Sequence, residues 1–374
     1  MNVRRVAWRG YRVPFLRPYQ AAHGTLTHRE GLLLWIELDD GTAGLGEVAP
    51  LAGFGGGRLG DCLVVLRAWA DRFVGQAPHE ARLQLARMAE HNTHVAALHC
   101  GLDTALLDAE AGPGGLAVAE RLGGVRHRQV PLNATIAAAG TDAAVAAARA
   151  AVLEGFRCVK LKVGLERSVE AELTRIARVR EAIGPGVELR LDANGAWRAS
   201  QAIELLRLAR ALGVALAEQP VPADDLEGLA RVRRAVDVPV GADEAVTGLA
   251  AAQAVLAAEA ADVLVVKPTV VGGLRPARRI VEAATARGVG VVVTSTLETG
   301  VGLAGALQLA ATLSDPPLAC GLATGSLLAS DLLETPLVAR GGALWLPMRP
   351  GLGVAVDAAA LERYGNAVRG EESA

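Results

Sequence analysis

The sequence predicts an α/β protein in which a closed barrel of parallel β/α units follows a smaller α+β domain. Three observations predict this class: apolar runs that each end in a charged residue, a regular alternation of strand and helix patterns after residue 128, and a different pattern before it. The chain has 374 residues, which is long for a single core and suits one large and one small domain.

The apolar runs follow one another at nearly even spacing. The charged residues that end them are 30, 26, 25 and 24 residues apart, and in order they are Lys162, Asp192, Glu218, Asp243 and Lys267. A buried parallel strand reads as a continuous apolar run, and one strand with its helix and turns takes about 30 residues. We therefore expect these side chains at the same end of five successive strands, where a β/α barrel carries its chemistry.

The first part of the chain has the pattern of an α+β domain, which we place at residues 1–127. Strands are predicted over 3–13 and 29–38, and a hairpin-type turn signal follows at 39–41. Helices are predicted over 63–73, 81–89 and 95–110.

The alternating pattern occupies residues 128–342 and has the strand and helix count of a closed parallel barrel. Strands are predicted over 130–137, 158–163, 187–192, 214–218, 238–243, 263–267, 290–295 and 318–322. Helices are predicted over 141–153, 168–183, 200–212, 226–235, 249–257, 274–287 and 302–313. A doubly wound open sheet is the competing interpretation, but it usually has a Gly-rich phosphate turn after an early strand. The first turn, at 138–141, lacks that turn, so the barrel is favoured.

The last stretch, from about residue 343 to residue 374, is predicted to complete the first domain rather than to add a β/α unit. It contains Pro347, Pro350, Gly351 and Gly353, which interrupt regular structure. Residues after Gly365 are polar, and we expect them to be frayed.

Charge and composition exclude several classes of partner. The net charge is −2 with nearly balanced signs, so neither nucleic acid nor an anionic membrane surface is an expected partner. The four cysteines are far apart, which favours buried thiols in a reducing compartment. The sequence has no signal-peptide or membrane-span pattern, and we expect a cytoplasmic protein. Homo-oligomer formation stays open.

Three of the residues that end the apolar runs are carboxylates, namely Asp192, Glu218 and Asp243. Three negative charges at one barrel mouth repel and raise one another's pKa values, and a hard divalent cation removes that repulsion. Ligation by oxygen alone favours Mg²⁺, with Mn²⁺ as an alternative. The competing interpretation is that these are ordinary exposed acids at strand ends. Three carboxylates in register make that interpretation the weaker one.

The lysines of the series suit proton transfer. Lys160 and Lys162 alternate with apolar residues, so both side chains point to the same face of their strand. A lysine beside a second cation has a lowered pKa and can act as a base near neutral pH, although a solvated pair is the alternative for this motif. Lys267 lies four strands after Lys162 and should face it across the barrel. Two lysines on opposite sides of a metal-bound carboxylate are suited to removing the proton α to that carboxylate.

These residues lie in motifs that resemble those of the enolase superfamily, in its muconate-lactonizing subgroup. The matching segments are VKLKVG at 159–164, LDANGAW at 191–197, EQP at 218–220, GADE at 241–244, and KP at 267–268 with GG at 272–273. The resemblance covers nearly the whole chain. It implies a modified TIM barrel, (β/α)7β, with an α+β capping domain formed by both ends of the chain, and a Lys or His base acting with Mg²⁺ on an enediolate.

The resemblance also implies roles for individual residues. The implied Mg²⁺ ligands are Asp192, Glu218 and Asp243. Lys162 is implied as the catalytic acid and base, Lys160 as the neighbour that orients it and lowers its pKa, and Lys267 as the lysine opposite. The implied supporting residues are Asn194, Glu244 and Arg190.

Within the subgroup, the segment GEVAPLAGF at 46–54 is similar to the o-succinylbenzoate synthases, and the segment LNA at 132–134 also fits them. This similarity implies a small carboxylate substrate and Mg²⁺-dependent syn-dehydration of 2-succinyl-6-hydroxy-2,4-cyclohexadiene-1-carboxylate to 2-succinylbenzoate, a step of menaquinone biosynthesis. The implied path is α-proton abstraction by a lysine, giving a metal-stabilised enediolate.

Related reactions remain as alternatives. An N-acylamino acid racemase, for instance one acting on N-succinylamino acids, would use the same site. Dipeptide epimerases and muconate cycloisomerases present an acid on the eighth strand, where this chain reads CGLATG at 320–325 with Ala323 in the place of many synthases' aspartate. A non-catalytic carboxylate-binding relative is the alternative from another class, but the three carboxylates and three lysines are all present.

Substrate contacts are predicted from the loops. Ser295 and Thr296, after the seventh strand, and Gly321, on the eighth, are predicted to contact substrate, with a helix cap as the alternative for the first two. Phe54 is predicted to supply an apolar wall, with packing between domains as the alternative. The capping loop also contains His23 and His28, whose roles stay open.

Overall fold

The computed structural model describes residues 1–21, 24–51, 53, 55–166 and 168–374. The chain begins with an antiparallel sheet of β1 (Val3–Ala21), β2 (Gly24–Leu38) and β3 (Ala43–Val48). The helices that follow are α1 (Leu59–Trp69), α2 (Pro78–His91), α3 (Ala96–Ala111) and α4 (Val118–Arg121). The strand β3 was not predicted from the sequence, because its glycines interrupt the residue pattern that indicates a strand.

Those glycines let the helix α3 lie directly on the sheet. A Cβ atom at Gly44 would come within 2.0 Å of the Ala105 carbonyl oxygen, and one at Gly46 within 2.0 Å of the Gly101 carbonyl oxygen. No side chain fits at such distances, so β3 and α3 form one closely packed unit.

The barrel follows β4 (Gln129–Pro131). Its parallel strands are β5 (Asn133–Ile136), β6 (Cys158–Lys162), β7 (Glu188–Asp192), β8 (Val214–Glu218), β9 (Val240–Ala242), β10 (Val263–Val266) and β11 (Gly290–Val293). The helices between and after them are α5 (Thr141–Leu153), α6 (Val169–Ile183), α7 (Ala199–Ala209), α8 (Leu226–Ala235), α9 (Leu249–Ala257), α10 (Pro268–Val271), α11 (Leu274–Thr285) and α12 (Gly300–Ala310). The strands are hydrogen-bonded in sequence order from β5 to β11.

Two residues of the predicted eighth strand close the ring. Cys320 forms a parallel bridge with Leu132, and Gly321 forms one with Thr294. The amide of Asn133 donates to the Cys320 carbonyl at 3.0 Å, and the amide of Ser295 donates to the Gly321 carbonyl at 3.1 Å. The predicted barrel is therefore confirmed, with an eighth strand shorter than expected.

The C-terminal stretch returns to the cap. β12 (Ala343–Trp345) pairs with β4, and α13 (Ala358–Tyr364) leads into β13 (Gly365–Ser373). β13 pairs antiparallel with β1, with Ser373 opposite Arg5. The expectation that residues after Gly365 are frayed is wrong, because pairing at a sheet edge uses backbone groups and needs no apolar side chains. In the described ranges, no helix is long and apolar enough to cross a membrane.

Candidate active site

The charged residues that end the barrel strands lie together at the mouth of the barrel. Lys162, Asp192 and Glu218 are paired in register across β6, β7 and β8. Asp243 and Lys267 directly follow the next two strands, β9 and β10. The even spacing in the sequence thus becomes one ring of charge, as predicted.

Lys160 and Lys162 point to the same side of β6 and share one carboxylate. Their Nζ atoms lie 2.9 Å and 2.7 Å from the same oxygen, Oδ2 of Asp192. Lys160 also donates to Oε1 of Glu218 at 2.7 Å, and Lys162 to Oδ1 of Asn194 at 2.6 Å. The two ammonium groups are therefore neighbours, which is the arrangement that the Lys-x-Lys motif predicts.

Lys267 lies on the other side of the carboxylates. Its Nζ atom donates to Oδ2 of Asp243 at 2.7 Å. Lys162 is on β6 and Lys267 is at the end of β10, four strands further around the barrel. A planar group bound over the carboxylates would have one lysine on each side.

Burial and charge shift the pKa values of this cluster in opposite directions. Burial alone would raise the pKa of Asp192, but the ammonium groups of Lys160 and Lys162 outweigh it and lower that pKa. Burial raises the pKa of Glu218, and the charges of Asp192 and Asp243 raise it further against the attraction of Lys160. Burial opposes the charge on Lys160, yet the carboxylates around it raise its pKa. Negative charge therefore remains crowded at Glu218 even with the lysines present.

The supporting residues form a second set of contacts around the ring. Asn194 donates from Nδ2 to Oε1 of Glu244 at 2.7 Å while accepting from Lys162. Its φ angle of +45° is in the left-handed region, which asparagine tolerates better than most residues. Asn194 thereby links Lys162, the predicted base, to the carboxylate of Glu244.

Arg190 lies one layer deeper inside the barrel than Asp192, two residues before it on β7. Its guanidinium group donates to Oε1 of Glu188 at 2.5 Å and to the Ala319 carbonyl at 2.7 Å. Among the described residues, its Nη2 atom has no hydrogen-bond partner. Arg190 therefore lies one layer below Asp192, in register with Lys160 on the neighbouring strand.

Gln219 is a site residue that the sequence analysis did not select. It is buried with a φ angle of +38°, and its Oε1 atom accepts hydrogen bonds from the Asp243 amide at 2.9 Å and the Ala245 amide at 3.3 Å. It therefore fixes the backbone that carries Asp243. Its place in the EQP motif, directly after Glu218, was the available signal.

The residues predicted to contact substrate have different surroundings. The Ser295 hydroxyl is 2.7 Å from the Thr324 hydroxyl at the end of the eighth strand. The Thr296 hydroxyl donates its hydrogen to the buried carboxylate of Glu298, so that donor is already in use. The Gly321 carbonyl accepts from Ser295, and a Cβ atom there would lie 2.2 Å from the Thr294 hydroxyl oxygen. The substrate roles of these residues stay predictions.

Two predictions on the capping loop fall outside the described residues. These are the apolar wall at Phe54 and the open role of His23. His28 is exposed on β2, and its Nδ1 atom is 3.0 Å from the Thr27 hydroxyl.

The carboxylates of the ring fit a hard divalent cation. Among the described residues, no three acidic, imidazole or thiol groups already converge on one point, because lysine ammonium groups lie between the carboxylates. The donors are nevertheless all oxygens on adjacent strand ends, which is the ligand type that Mg²⁺ prefers. Oδ1 of Asp243 is buried without a well-directed hydrogen bond, although Lys267 Nζ is 2.6 Å away. That oxygen is a ready ligand position.

Comparison with known proteins assigns the family. The family described as mandelate racemase/muconate lactonizing enzyme, N-terminal domain, matches residues 6–123, and the enolase C-terminal domain-like family matches residues 143–360. This chain belongs to the enolase superfamily. The fold, with its cap and its barrel, and the resemblance read from the motifs are thereby confirmed.

The relatives of this superfamily member differ in their reactions. An o-succinylbenzoate synthase from Thermobifida fusca is 42% identical over 216 residues, which cover 58% of this chain and 66% of the synthase. An L-Ala-D/L-Glu epimerase from Bacillus subtilis is 30% identical over 367 residues, covering 95% of this chain and 97% of the epimerase. A muconate lactonizing enzyme from Pseudomonas fluorescens superposes with a TM-score of 0.91 at 26% identity, covering 98% of this chain and 99% of that chain. This superfamily member is an enzyme whose relatives include lyases, isomerases and epimerases.

Proposed function

We propose that this enzyme is an o-succinylbenzoate synthase, which dehydrates 2-succinyl-6-hydroxy-2,4-cyclohexadiene-1-carboxylate to 2-succinylbenzoate. The observation that carries the proposal is the neutral eighth strand, CGLATG at 320–325, beside an intact ring of lysines and carboxylates. A dipeptide substrate brings an ammonium group that needs an acid there, whereas a succinyl group does not. Ala323 also departs from the aspartate of many synthases, but the missing acid counts more against an epimerase than against a synthase. The 42% identity to the synthase of Thermobifida fusca supports the same choice. We further propose that the enzyme is cytoplasmic and acts in menaquinone biosynthesis.

In the proposed reaction, Lys162 transfers the proton in both directions. As the free amine, its Nζ removes the ring proton α to the substrate carboxylate, and the electron pair of that C–H bond moves toward the carboxylate. When the electrons return to the ring, the C–O bond to the hydroxyl group breaks. The Lys162 ammonium gives its proton to the departing oxygen, so that water leaves and the lysine is restored. Removal and return on the same face give syn elimination.

The other residues of the ring hold the substrate in place for that transfer. Asp192, Glu218 and Asp243 would hold Mg²⁺, which when bound neutralises the substrate carboxylate and favours negative charge on it. Lys160 keeps a positive charge beside Lys162, and Lys267 keeps a positive charge on the opposite side of the carboxylates. Asn194 fixes the position of the Lys162 Nζ atom at 2.6 Å. These fixed charges favour an anionic intermediate.

Racemization of N-acylamino acids is a second candidate. The specific observation in its favour is that Lys162 and Lys267 are both held by carboxylates, on strands four apart around the ring. Moving one proton from one face of a carbon to the other needs a lysine on each face. The match to the epimerase of Bacillus subtilis along 95% of this chain also supports this chemistry.

A pair of assays with Mg²⁺ tests the proposal. One follows the dehydration of the cyclohexadiene substrate, and the other follows the racemization of N-succinyl amino acids with the same enzyme preparation. We expect kcat/KM for dehydration to be the larger. Racemization without dehydration would replace the first proposal by the second, and the absence of both would contradict each of them.

Replacing Asp243 with asparagine should abolish the response of the protein to Mg²⁺. At a Mg²⁺ concentration of 100 times Kd, the wild-type protein should gain about 2.7 kcal/mol of unfolding free energy, because the ion binds only the folded chain. The Asp243→Asn variant loses one charged ligand and should show little of that gain in thermal unfolding. The matched control is Asp262→Asn, which changes a carboxylate that caps β9 at the opposite end of the barrel and bonds to Arg233. An equal Mg²⁺ response in both variants would contradict the proposed ligand set.

A further inference from the structure

The loop after β11, formed by residues 295–299 and here called the β11 loop, lines the barrel mouth and is buried along its whole length. Ser295 begins it, hydrogen-bonded to the Gly321 carbonyl on the eighth strand and to the Thr324 hydroxyl in the turn that follows that strand. Leu297 in its middle has a φ angle of +64°. A leucine in the left-handed region costs about 1–3 kcal/mol and persists only where its surroundings impose it. The contacts that impose it come from the cap.

The cap holds the carbonyl groups of this loop through Arg29. Arg29 lies on β2, and its buried guanidinium group donates to the Leu297 carbonyl at 2.9 Å and to the Thr296 carbonyl at 3.3 Å. The same group donates to the Pro50 carbonyl at 2.7 Å and to the Ala49 carbonyl. One side chain thus joins the segment that follows β3 in the cap to the loop of the barrel.

The cap holds the amide groups at the end of the loop through Glu47. Glu47 lies on β3, and its carboxylate accepts hydrogen bonds from the Thr299 amide at 2.9 Å, the Thr299 hydroxyl at 2.8 Å and the Gly302 amide at 2.7 Å. The Tyr11 hydroxyl is a fourth donor at 2.5 Å. Thr299 gives α12 no side-chain cap of its own, so the first amides of that helix are capped from another domain.

The loop is also linked to the strand end that carries Lys267. Glu298 accepts from the Thr296 amide at 2.6 Å and from the Thr269 hydroxyl at 2.5 Å. Thr269 lies two residues after Lys267. A shift of the β11 loop would therefore act both on Ser295 and on the turn beside Lys267.

We propose that Arg29 and Glu47 are positioning residues through which the cap fixes the β11 loop and so sets the affinity for substrate. The hydrogen bonds given above for Arg29 and Glu47 join the cap to the β11 loop and to the start of α12. Their loss should weaken substrate binding at the mouth and leave proton removal by Lys162 nearly intact. The choice of substrate for the test rests on the proposed function, but the shape of the loop does not.

The test compares Arg29→Met with Arg275→Met. Arg275, on α11, also joins barrel to cap, through ion pairs with Asp103 at 2.7 Å and Glu110 at 2.9 Å on α3. The Arg29→Met variant should exchange the backbone amides of residues 295–302 at least 10-fold faster by mass spectrometry, and its KM should rise about 10-fold or more with kcat within a factor of about three. The Arg275→Met variant should keep wild-type exchange in that segment and a wild-type KM.

Two further variants keep the proposal open to refutation if Arg29→Met folds poorly. Arg29→Lys keeps the charge but not the planar fork of donors, and should give an intermediate KM. Glu47→Gln places an amide N–H group against backbone donors, and should speed exchange at Thr299 and Gly302. Wild-type exchange in the loop of every variant, equal effects in Arg275→Met, or a fall in kcat at constant KM would overturn the proposal. If the wild-type enzyme shows no dehydration, the proposed function fails while the exchange data still decide the role of Arg29.

Discussion

Replacing Lys162 with alanine should lower kcat for dehydration by about 10⁴-fold, the upper part of the range for loss of a general base. The reason is that, in the proposed reaction, proton removal and proton return both pass through its Nζ atom. Any exchange of the substrate α-proton with solvent deuterium, followed by NMR, should stop as well, because that exchange requires proton removal and its reversal. Lys160 remains paired with Asp192, so the fold and the Mg²⁺ response in thermal unfolding should persist.

Lys162→Arg is the matched control for this prediction. Arginine retains the positive charge next to Asp192 but stays protonated at neutral pH and cannot accept a proton. If Lys162 is the base, the arginine variant should be as inactive as the alanine variant. Dehydration by Lys162→Arg within about 10-fold of wild type would show that the residue contributes charge only.

Replacing Lys267 with arginine should separate the two candidate reactions. In the proposed dehydration Lys267 contributes only a positive charge, which arginine keeps, so kcat should fall less than about 10-fold. In racemization Lys267 must itself exchange a proton on the second face, so that rate should fall about 10³-fold. The measurement is both activities on one preparation, with the Mg²⁺ response in thermal unfolding as the check on the fold.

The companion variant for this position is Lys267→Met, which removes the charge beside Asp243. Both reactions should slow in it, because the anionic intermediate loses a stabilising cation. An equal loss of both activities in the arginine variant would mean that Lys267 also transfers a proton during dehydration. The assignment of Lys162 as the single acid and base would then be wrong.

The ring of charge could be predicted from the sequence because its information is local. Each strand end carries its own charged residue, and the regular length of the β/α units brings those ends to one face. The same holds for Asn194 and Glu244, which lie in motifs next to Asp192 and Asp243. The barrel strands and most barrel helices begin and end near the predicted residues for the same reason.

What escaped prediction depends on contacts distant in the sequence. Arg29 meets Leu297 across 268 residues, and Glu47 meets Thr299 across 252 residues. In the sequence, Arg29 begins a predicted strand of the cap and Glu47 lies in the segment at 46–54, and neither position reveals its distant partner. The strand β13 was missed because its residues pair through the backbone at the edge of a sheet and show no apolar alternation. Gln219 was passed over because its function lies in its hydrogen bonds to the backbone that carries Asp243.

The eighth strand is short, so the barrel wall has few backbone hydrogen bonds at that place. Four backbone hydrogen bonds through Cys320 and Gly321 join β11 to β5, whereas β6 and β7 pair over five residues. This part of the wall borders Ser295 and lies across the barrel from the carboxylates, and it has fewer backbone hydrogen bonds to resist local opening than the ladder of β6 and β7. Faster amide exchange at Cys320 and Gly321 than along β7 would report that local opening.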